Sequence, residues 1–230
     1  MDPFIFGSRE LEDELREDAH MAGEVDWLQS IARPGMVALD VGANRGVTTV
    51  ALARSVGPQG RVYGFEPVPA YCRVARENLV RNQAANCEVF ELALGDRRQR
   101  LAFHERGGSS GIVPGENGAL LMVEATTIAD FVHQHGIGHV DVLSMDCEGS
   151  ELRVLRGYGG LLREHAPLIF CEIHHDYLAS LGHDAGELVA LLEDVGYQVE
   201  PVEVESPGEE TTMEACSHIV ARPSGPTPRY

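Results

Sequence analysis

The chemistry suggested by this sequence begins at a glycine-rich turn in residues 36–46, which read Met-Val-Ala-Leu-Asp-Val-Gly-Ala-Asn-Arg-Gly. The apolar first half is typical of a strand buried on both faces of a parallel sheet, and a helix is predicted to begin at Val47. Gly42 and Gly46 would let the backbone turn tightly and let a ligand approach closely. Amides at the start of the helix would attract a carboxylate, and Asp40 could pair with the amino group of an amino-acid-like ligand.

The spacing of this turn differs from that of a dinucleotide-binding fingerprint. It reads Asp-x-Gly-x-x-x-Gly, and Asn44 stands where a glycine would approach a pyrophosphate. An acid in the turn would also repel a pyrophosphate, whereas it could attract a cation. An ordinary tight turn between a strand and a helix, without any ligand, is the alternative interpretation of this stretch alone.

A second acid stands at the end of the next predicted strand. Residues 61–65 form that strand, and Glu66 follows it, 20 residues after Gly46. A carboxylate accepts hydrogen bonds from two adjacent hydroxyl groups, and an acid at this place typically binds a ribose. Two acids at the ends of the first two strands indicate a ligand site much more specifically than either acid alone.

A third group of polar residues follows two later apolar strands. Asp146, Glu148 and Glu151 give three acids in six residues, and the first two would point the same way if the strand continued between them. His174 and His175 come directly after the other strand. Alternatively, Glu148 and Glu151 simply begin a helix, where acids interact favourably with the helix dipole.

The composition excludes several classes of function. The net charge is −18 with a pI near 4.8, which argues against nucleic acids and against anionic membrane surfaces. All 18 basic residues are arginine, so no lysine can act as a base or form a Schiff base. The five cysteines are dispersed without a Cys-x-x-Cys pair, and no apolar run reaches membrane length. We therefore expect reduced thiols and a cytoplasmic location.

Alternating strands and helices predict a doubly wound α/β sheet. Apolar residues at helical spacing in residues 8–31 predict one or two amphipathic helices. We divide the chain into an N-terminal helical extension, a central α/β domain and a disordered tail, which cover residues 1–33, 34–222 and 223–230.

The middle of the chain predicts further strands around a polar loop. Residues 87–94 are predicted as the third strand, and residues 99–105 and 120–125 alternate enough to form two more. The loop over residues 106–112 is rich in Gly and Ser, so it could hydrogen-bond a polar ligand or be a plain surface loop.

Taken together, five stretches resemble the FkbM family of S-adenosylmethionine (SAM)-dependent methyltransferases, and the resemblance runs from about residue 34 to residue 200. They are residues 37–46 (Val-Ala-Leu-Asp-Val-Gly-Ala-Asn-Arg-Gly), 64–67 (Gly-Phe-Glu-Pro), 93–96 (Ala-Leu-Gly-Asp), 144–152 (Ser-Met-Asp-Cys-Glu-Gly-Ser-Glu-Leu) and 171–174 (Cys-Glu-Ile-His). The family usually has a lysine in the fourth stretch, where this chain has Ser144.

The resemblance implies a Rossmann-like, seven-stranded, mostly parallel sheet with an antiparallel last strand. It also implies SAM as cofactor and methyl transfer to a hydroxyl of a small-molecule acceptor such as a sugar or a polyketide-like natural product. The cofactor-binding residues implied by position are Asp40, Gly42, Asn44, Gly46, Thr48, Glu66, Pro67, Ala93 and Asp146. Glu66 would bind the ribose and Ala93 would lie near the adenine.

A hydroxyl acceptor must lose a proton, which requires a general base within hydrogen-bond reach. His174 is the first candidate because an imidazole titrates near neutral pH, and Asp146 is the second. Alternatively, Asp146, Glu148, His174 and His175 could bind Mg²⁺ or Mn²⁺, which would lower the pKa of an acceptor hydroxyl. We favour a site without a metal.

A different class of function remains open, namely a non-catalytic SAM- or nucleotide-binding protein of the same fold. Among partners, we expect a small-molecule acceptor and neither nucleic acid nor membrane. A homodimer is compatible with the sequence.

Overall fold

The computed structural model describes residues 4–6, 18–106, 110–112, 119–205 and 211–225. Its helices, numbered in chain order, are α1 (Ala19–Ile31), α2 (Val47–Val56), α3 (Pro69–Arg81), α4 (Ile128–His135), α5 (Glu151–Tyr158), α6 (Leu161–His165), α7 (His175–Ser180) and α8 (Ala185–Asp194). Its strands are β1 (Val37–Val41), β2 (Arg61–Phe65), β3 (Cys87–Phe90), β4 (Ala93–Leu94), β5 (Gln99–Glu105), β6 (Ala119–Thr126), β7 (Val142–Met145), β8 (Leu168–Glu172), β9 (Tyr197–Val202) and β10 (His218–Pro223).

Seven strands form the main sheet in the order β3-β2-β1-β7-β8-β10-β9. The strands from β3 to β8 in that order pair in parallel, and β10 is antiparallel to both of its neighbours. The predicted Rossmann-like sheet with its antiparallel last strand is therefore confirmed. The strand order reverses at β1, so the carboxyl ends of β1, β2 and β7 meet at the place where open α/β sheets bind ligands.

The side chains of β1 alternate between two cores, as the pleat of a strand requires. Leu39 and Val41 pack in the core formed with α4, α5 and α8, whereas Ala38 packs in the core formed with α1, α2 and α3. Helix α1 begins after Asp18, whose carboxylate accepts hydrogen bonds from the amides of His20 and Met21. This cap fixes where the helix starts over the sheet edge.

The predicted third strand over residues 87–94 is two strands in the structure. β3 ends at Phe90, and the amide of Leu92 donates to the Phe90 carbonyl in the turn that follows. β4 then pairs in parallel with β6, which is antiparallel to β5, so these three strands form a second small sheet. The sequence gives no sign of this turn because apolar residues lie on both sides of it.

Several predictions fall partly outside the described residues. Residues 8–17 of the predicted N-terminal helices lie outside them, as do residues 107–109 of the Gly/Ser-rich loop and residues 226–230 of the predicted tail. The first residue of that tail, Pro223, ends β10. Within the part of the chain that the structure describes, every helix is too short or too polar to cross a bilayer.

Two helices follow the acidic turn, since α5 ends at Tyr158 and α6 begins at Leu161 with Gly159 and Gly160 between them. Gly157 lies inside α5. A Cβ at this position would collide with the carbonyl oxygen of Gly95, in the loop that follows β4. The glycine therefore lets α5 pack directly on that loop.

We expect Gly157→Ala to lower the free energy of unfolding by about 1–3 kcal/mol, because the added methyl group overpacks against a fixed backbone carbonyl. Urea unfolding followed by circular dichroism measures the change. Gly160→Ala is the matched control, since this residue has φ −62° and open space around its Cβ position. Equal stability of the two variants would contradict the close packing of α5.

Candidate cofactor and acceptor site

A cavity opens at the carboxyl ends of β1, β2 and β7, where the strand order reverses. Its apolar wall is formed by side chains from β2, the second sheet and the adjoining loops, namely Phe65, Leu92, Leu101, Phe103 and Ile112. Its polar wall is formed by Asn44, Glu66, Asp96, Asp146 and Glu148. We call this space the first cavity. An apolar slot with a few polar groups on one side is typical of a small-molecule site.

The loop between β1 and α2 forms the floor of the first cavity. Gly42 has φ +93°, and a Cβ there would collide with the carbonyl oxygen of Asp146. Asn44 also has a left-handed backbone, with φ +45°. Gly46 has φ +88° and lies against Ala75 of α3. The loop therefore takes its shape from close contact with the end of β7 on one side and with α3 on the other.

Asp40 lies below this loop and not in the wall of the first cavity. Its carboxylate is 2% exposed and accepts hydrogen bonds from the hydroxyl groups of Thr48 and Thr49. Burial raises the pKa of Asp40, and these hydroxyl groups counteract part of that rise. The structure thus places Asp40 and Thr48 in the support of the loop, and their predicted contact with a cofactor stays a prediction.

Glu66 lies in the wall of the first cavity at the end of β2. Its carboxylate is 5% exposed and accepts hydrogen bonds from the amides of Asn44 (2.9 Å) and Val68 (2.7 Å). Burial raises the pKa of Glu66 to about 7, even though these two hydrogen bonds favour the charged form. The carboxylate is thus fixed by two loops and keeps lone pairs for a ligand.

His174 lies among four carboxylates beside the first cavity. Its Nδ1 donates to Glu151 Oε1 at 3.1 Å, and its Nε2 lies 3.3 Å from Glu148 Oε2. The same Nε2 lies 3.6 Å from Asp146 Oδ1 and 3.7 Å from Glu172 Oε1. β7 ends at Met145, so the strand does not continue through Asp146 and Glu148. A turn with Glu148 at φ +53° brings these acids together instead.

The electrostatics of this cluster differ from the sequence-based expectation. Burial lowers the pKa of His174, but the hydrogen bond to Glu151 and the charges of Glu172 and Glu148 outweigh burial and raise it to about 9. Burial raises the pKa of Glu148 to about 7, and burial together with Glu172 raises that of Asp146. The expectation that the His174 ring titrates near neutral pH is therefore wrong for this structure, and its role as general base stays a prediction.

The structure separates His175 from the other predicted metal ligands. The ring of His175 donates from Nε2 to the carbonyl of Cys216 at 3.0 Å, in the loop before β10. Asp146, Glu148 and His174 do converge, and each offers a ligand atom within 4.8 Å of the other two. The alternative set of four ligands is thus corrected to three, because the side chain of His175 points to a different loop.

The remaining predicted cofactor residues fall into two groups. Pro67 and Ala93 line the first cavity together with Gly42, Asn44, Glu66 and Asp146. Gly46, like Asp40 and Thr48, does not line it and shapes the loop from below.

A second cavity lies on the other side of Asn44, Asp146 and Glu148, which line both spaces. Its other lining residues are contributed by α1, by the end of β8 and by the start of α7, and they include His20, Glu24, Glu172, His174 and Tyr177. We call this space the second cavity. Ligands bound in the two cavities would approach each other at the shared wall of Asn44, Asp146 and Glu148.

Reasoning from the sequence missed His20 and Glu24 and assigned no role to Glu151. Glu151 is fully buried and orients His174, whereas the sequence only groups it with Asp146 and Glu148 or places it in the first turn of a helix. His20 and Glu24 have the spacing of one helical turn, which could have been noticed. Their position over the end of β8 depends on how α1 packs, which the spacing does not reveal.

The strand order, the glycine loop after β1 and the acid after β2 define a Rossmann-like protein of the methyltransferase class. The sequence model described as "Methyltransferase FkbM domain" matches residues 40–199. The chain therefore belongs to the FkbM family of SAM-dependent methyltransferases.

Individual relatives agree with this assignment. The chain is 28% identical over 200 residues to 31-O-demethyl-FK506 methyltransferase FkbM of Streptomyces tacrolimicus, covering 73% of this chain and 74% of that protein. It is 26% identical over 146 residues to 2-O-methyltransferase NoeI of Sinorhizobium fredii, covering 55% and 59%. The chain thus spans less than two thirds of the length of NoeI.

A solved structure shows the same fold. The crystal structure of Methyltransferase FkbM from Methylobacillus flagellatus is similar with a TM-score of 0.55 and 18% sequence identity. The similarity covers 94% of this chain and 56% of that one.

We expect the affinity for S-adenosylhomocysteine to rise with pH through about 7, because Glu66 is predicted to accept hydrogen bonds from ribose hydroxyls only when it is ionised. Calorimetric titration at pH 6 and pH 8 should show affinity lower at pH 6 by about three- to tenfold. Glu66→Gln should bind more weakly at pH 8 and lose most of the pH dependence. The control is Glu77→Gln, on the exposed side of α3. A pH dependence in Glu66→Gln as large as that of the parent protein would contradict the assignment.

Proposed function

We propose that this protein transfers a methyl group from SAM to a hydroxyl oxygen of a small-molecule acceptor. The observation that carries the proposal is the wall of Asn44, Asp146 and Glu148 shared by the two cavities. One cavity has the polar and apolar groups that a nucleoside requires, and the other is open and polar. Two relatives whose names specify O-methyl transfer support the choice of oxygen as the methylated atom.

The residues of the first cavity fit the cofactor of this family. Glu66 has lone pairs for two ribose hydroxyls, and the apolar wall around Phe65 and Leu101 suits a purine. Gly42 and Asn44 line the cavity at the loop after β1, where the amino-acid part of the cofactor would lie. SAM would supply the activated methyl group, and the chain would supply binding and orientation.

The second cavity favours an acceptor that is uncharged or cationic. Carboxylates from several elements line it, namely Asp18, Glu24, Asp146, Glu148, Glu172 and Asp176. Carboxylates accept hydrogen bonds from hydroxyl and ammonium groups but repel phosphates and carboxylates. We infer that the acceptor is rich in hydroxyl groups and carries no phosphate.

We propose that Asp146 and His174 together remove the proton from the acceptor hydroxyl. Asp146 lines both cavities, so its carboxylate can reach an acceptor oxygen that faces the cofactor. Of the two cavities, His174 lines only the second. Its Nδ1 is hydrogen-bonded to Glu151 Oε1 at 3.1 Å, which fixes the orientation of the ring. On this geometry Asp146 accepts the proton, and His174 positions the acceptor and Asp146.

The test uses SAM with a ¹³C-labelled methyl group and a panel of sugars, polyols, phenols and macrolide alcohols. We expect a methoxy carbon signal with at least one uncharged hydroxylic acceptor. Labelled methyl on nitrogen, sulfur or carbon would contradict the proposal. Binding of S-adenosylhomocysteine without transfer to any member of the panel would favour the non-catalytic alternative.

With an acceptor in hand, we expect His174→Ala to lower turnover by at least about 100-fold, because removal of a group that positions a proton transfer has effects of this size. Its affinity for S-adenosylhomocysteine should stay within about threefold of that of the parent protein, because His174 does not line the first cavity. His133→Ala, on the exposed side of α4, is the control. Undiminished turnover of His174→Ala removes His174 from the mechanism.

A second candidate is O-methylation that depends on a divalent cation at Asp146, Glu148 and His174. Their convergence favours it, as does Glu148 Oε2, which is buried without a hydrogen-bond partner. These side chains would hold Mg²⁺ or Mn²⁺, which would increase the acidity of an acceptor hydroxyl.

If this second candidate is correct, removal of metal with EDTA lowers turnover at least about tenfold, and added Mg²⁺ or Mn²⁺ restores it. Glu148→Gln should lose this restoration, because it replaces one of the three ligands. Full turnover after EDTA treatment excludes the cation.

A further inference from the structure

A second group of metal-binding residue types lies where α1 crosses the ends of β8 and β10. His20, Glu24, Glu172 and His218 each offer one nitrogen or carboxylate oxygen, and these four atoms lie within 4.8 Å of one another. His20 and Glu24 are one helical turn apart on α1, and Glu172 and His218 are direct partners in the pairing of β8 with β10. Each pair thus has the spacing of a chelate.

The distances within this group are compatible with a shared ion as well as with two direct ion pairs. His20 Nε2 lies 3.3 Å from Glu172 Oε1, and His218 Nε2 lies 3.2 Å from Glu24 Oε1. Charge-assisted hydrogen bonds are shorter, at about 2.7–2.9 Å. Ligand atoms about 2.1 Å from a tetrahedral ion are about 3.4 Å apart, which is close to the separation observed here.

The outer nitrogen of each imidazole has a partner of its own. His20 Nδ1 lies 3.3 Å from Glu205 Oε1, and His218 Nδ1 lies 3.0 Å from Ser217 Oγ. The Ser217 hydroxyl in turn donates to Glu203 at 3.1 Å. Metal-binding histidines commonly have such outer partners, which fix the tautomer and aim the other nitrogen at the ion. Both rings thus present Nε2 to the same space.

The four side chains of this group are largely shielded from solvent. His218 is fully buried and stacks on Phe170 with ring centroids 4.9 Å apart. The side chains of Glu24 and Glu172 are 12% and 18% exposed, and that of His20 is 29% exposed. Carboxylates with so little access to water require a compensating positive charge, which either the paired histidines or a bound ion can supply. An ion could enter from the second cavity, which His20, Glu24 and Glu172 line.

We propose that His20, Glu24, Glu172 and His218 bind one divalent transition-metal ion of the zinc type, which fastens α1 to the ends of β8 and β10. Two imidazole nitrogens and two carboxylate oxygens match the ligand preferences of Zn²⁺ and Co²⁺, whereas Mg²⁺ and Ca²⁺ prefer oxygen ligands alone. The site uses none of Asp146, Glu148 and His174, although its Glu172 also lies 3.7 Å from His174 Nε2 and three of its residues line the second cavity. Binding of an ion by these four side chains does not require the proposed acceptor chemistry.

Titration of the metal-free full chain with Co²⁺, followed by visible absorption and calorimetry, tests the site. We expect one ion per chain, with absorption bands typical of tetrahedral coordination. His20→Gln and Glu24→Gln should each weaken binding at least about tenfold, because each removes one ligand. The matched control is His183→Gln, because His183 forms the same one-turn pair with Glu187 (3.1 Å) at the surface.

The outcomes separate this site from its neighbour. Binding that is lost in Glu148→Gln but kept in His20→Gln would place the ion in the Asp146 group and overturn the proposal. Absence of binding at about 100 µM Co²⁺ would overturn it as well. As a second readout, Zn²⁺ should raise the melting temperature of the parent protein and of His183→Gln but not of His20→Gln. Equal shifts in all three would contradict the site.

Discussion

The crowding of four carboxylates around His174 is the interaction on which the rest of the site depends. Glu151, Glu148, Asp146 and Glu172 each place an oxygen 3.1–3.7 Å from the ring. Two like charges about 4 Å apart repel by about 4 kcal/mol at the dielectric typical of such places. Protons offset part of this repulsion, since the pKa of His174 is raised to about 9 and the pKa values of Asp146 and Glu148 are also raised. A sheet edge of this kind attracts cationic groups and repels anions.

The glycine loop and the acidic turn are mechanically coupled. The backbone of Gly42 lies so close to the carbonyl of Asp146 that a side chain is excluded, and the amide of Asp146 donates to the carbonyl of Val41 at 2.9 Å. Asn44 extends the coupling by donating its amide to Glu66, at the end of the neighbouring strand. These contacts join the loops after β1, β2 and β7, and Asn44 and Asp146 from two of these loops line both cavities.

Sequence reasoning located the parts of the site whose chemistry is local. An acid or glycine at the end of a buried strand is visible in the sequence, so Gly42, Glu66 and Asp146 were predicted and do line the first cavity. The fold followed from the alternation of strands and helices together with the family resemblance. The grouping of His20 with His218 could not be predicted, because almost two hundred residues separate them and their contact depends on how α1 packs on the sheet.

The turn at Leu92 and the position of His175 were also beyond sequence reasoning. Apolar residues stand on both sides of Leu92, and a second histidine stands beside His175. The periodicity of the sequence therefore shows neither where the strand ends nor which histidine joins the site. Two adjacent histidines after a strand look equivalent, yet one ring turns toward Glu151 and the other toward the carbonyl of Cys216. The direction of the backbone after β8 decides which ring faces Glu151, and that direction depends on where α7 begins.

Ser144 bears on how the buried charge of Asp40 is balanced. The family usually has a lysine at this position, and here Ser144 is the direct partner of Asp40 in the pairing of β1 with β7. Hydroxyl groups of Ser144, Thr48 and Thr49 lower the pKa of Asp40, but burial outweighs them. Hydroxyl groups stabilise a carboxylate by hydrogen bonds without adding positive charge, so they balance a buried carboxylate less completely than an ammonium group does. In a chain without lysine, the support of the glycine loop therefore rests on neutral donors.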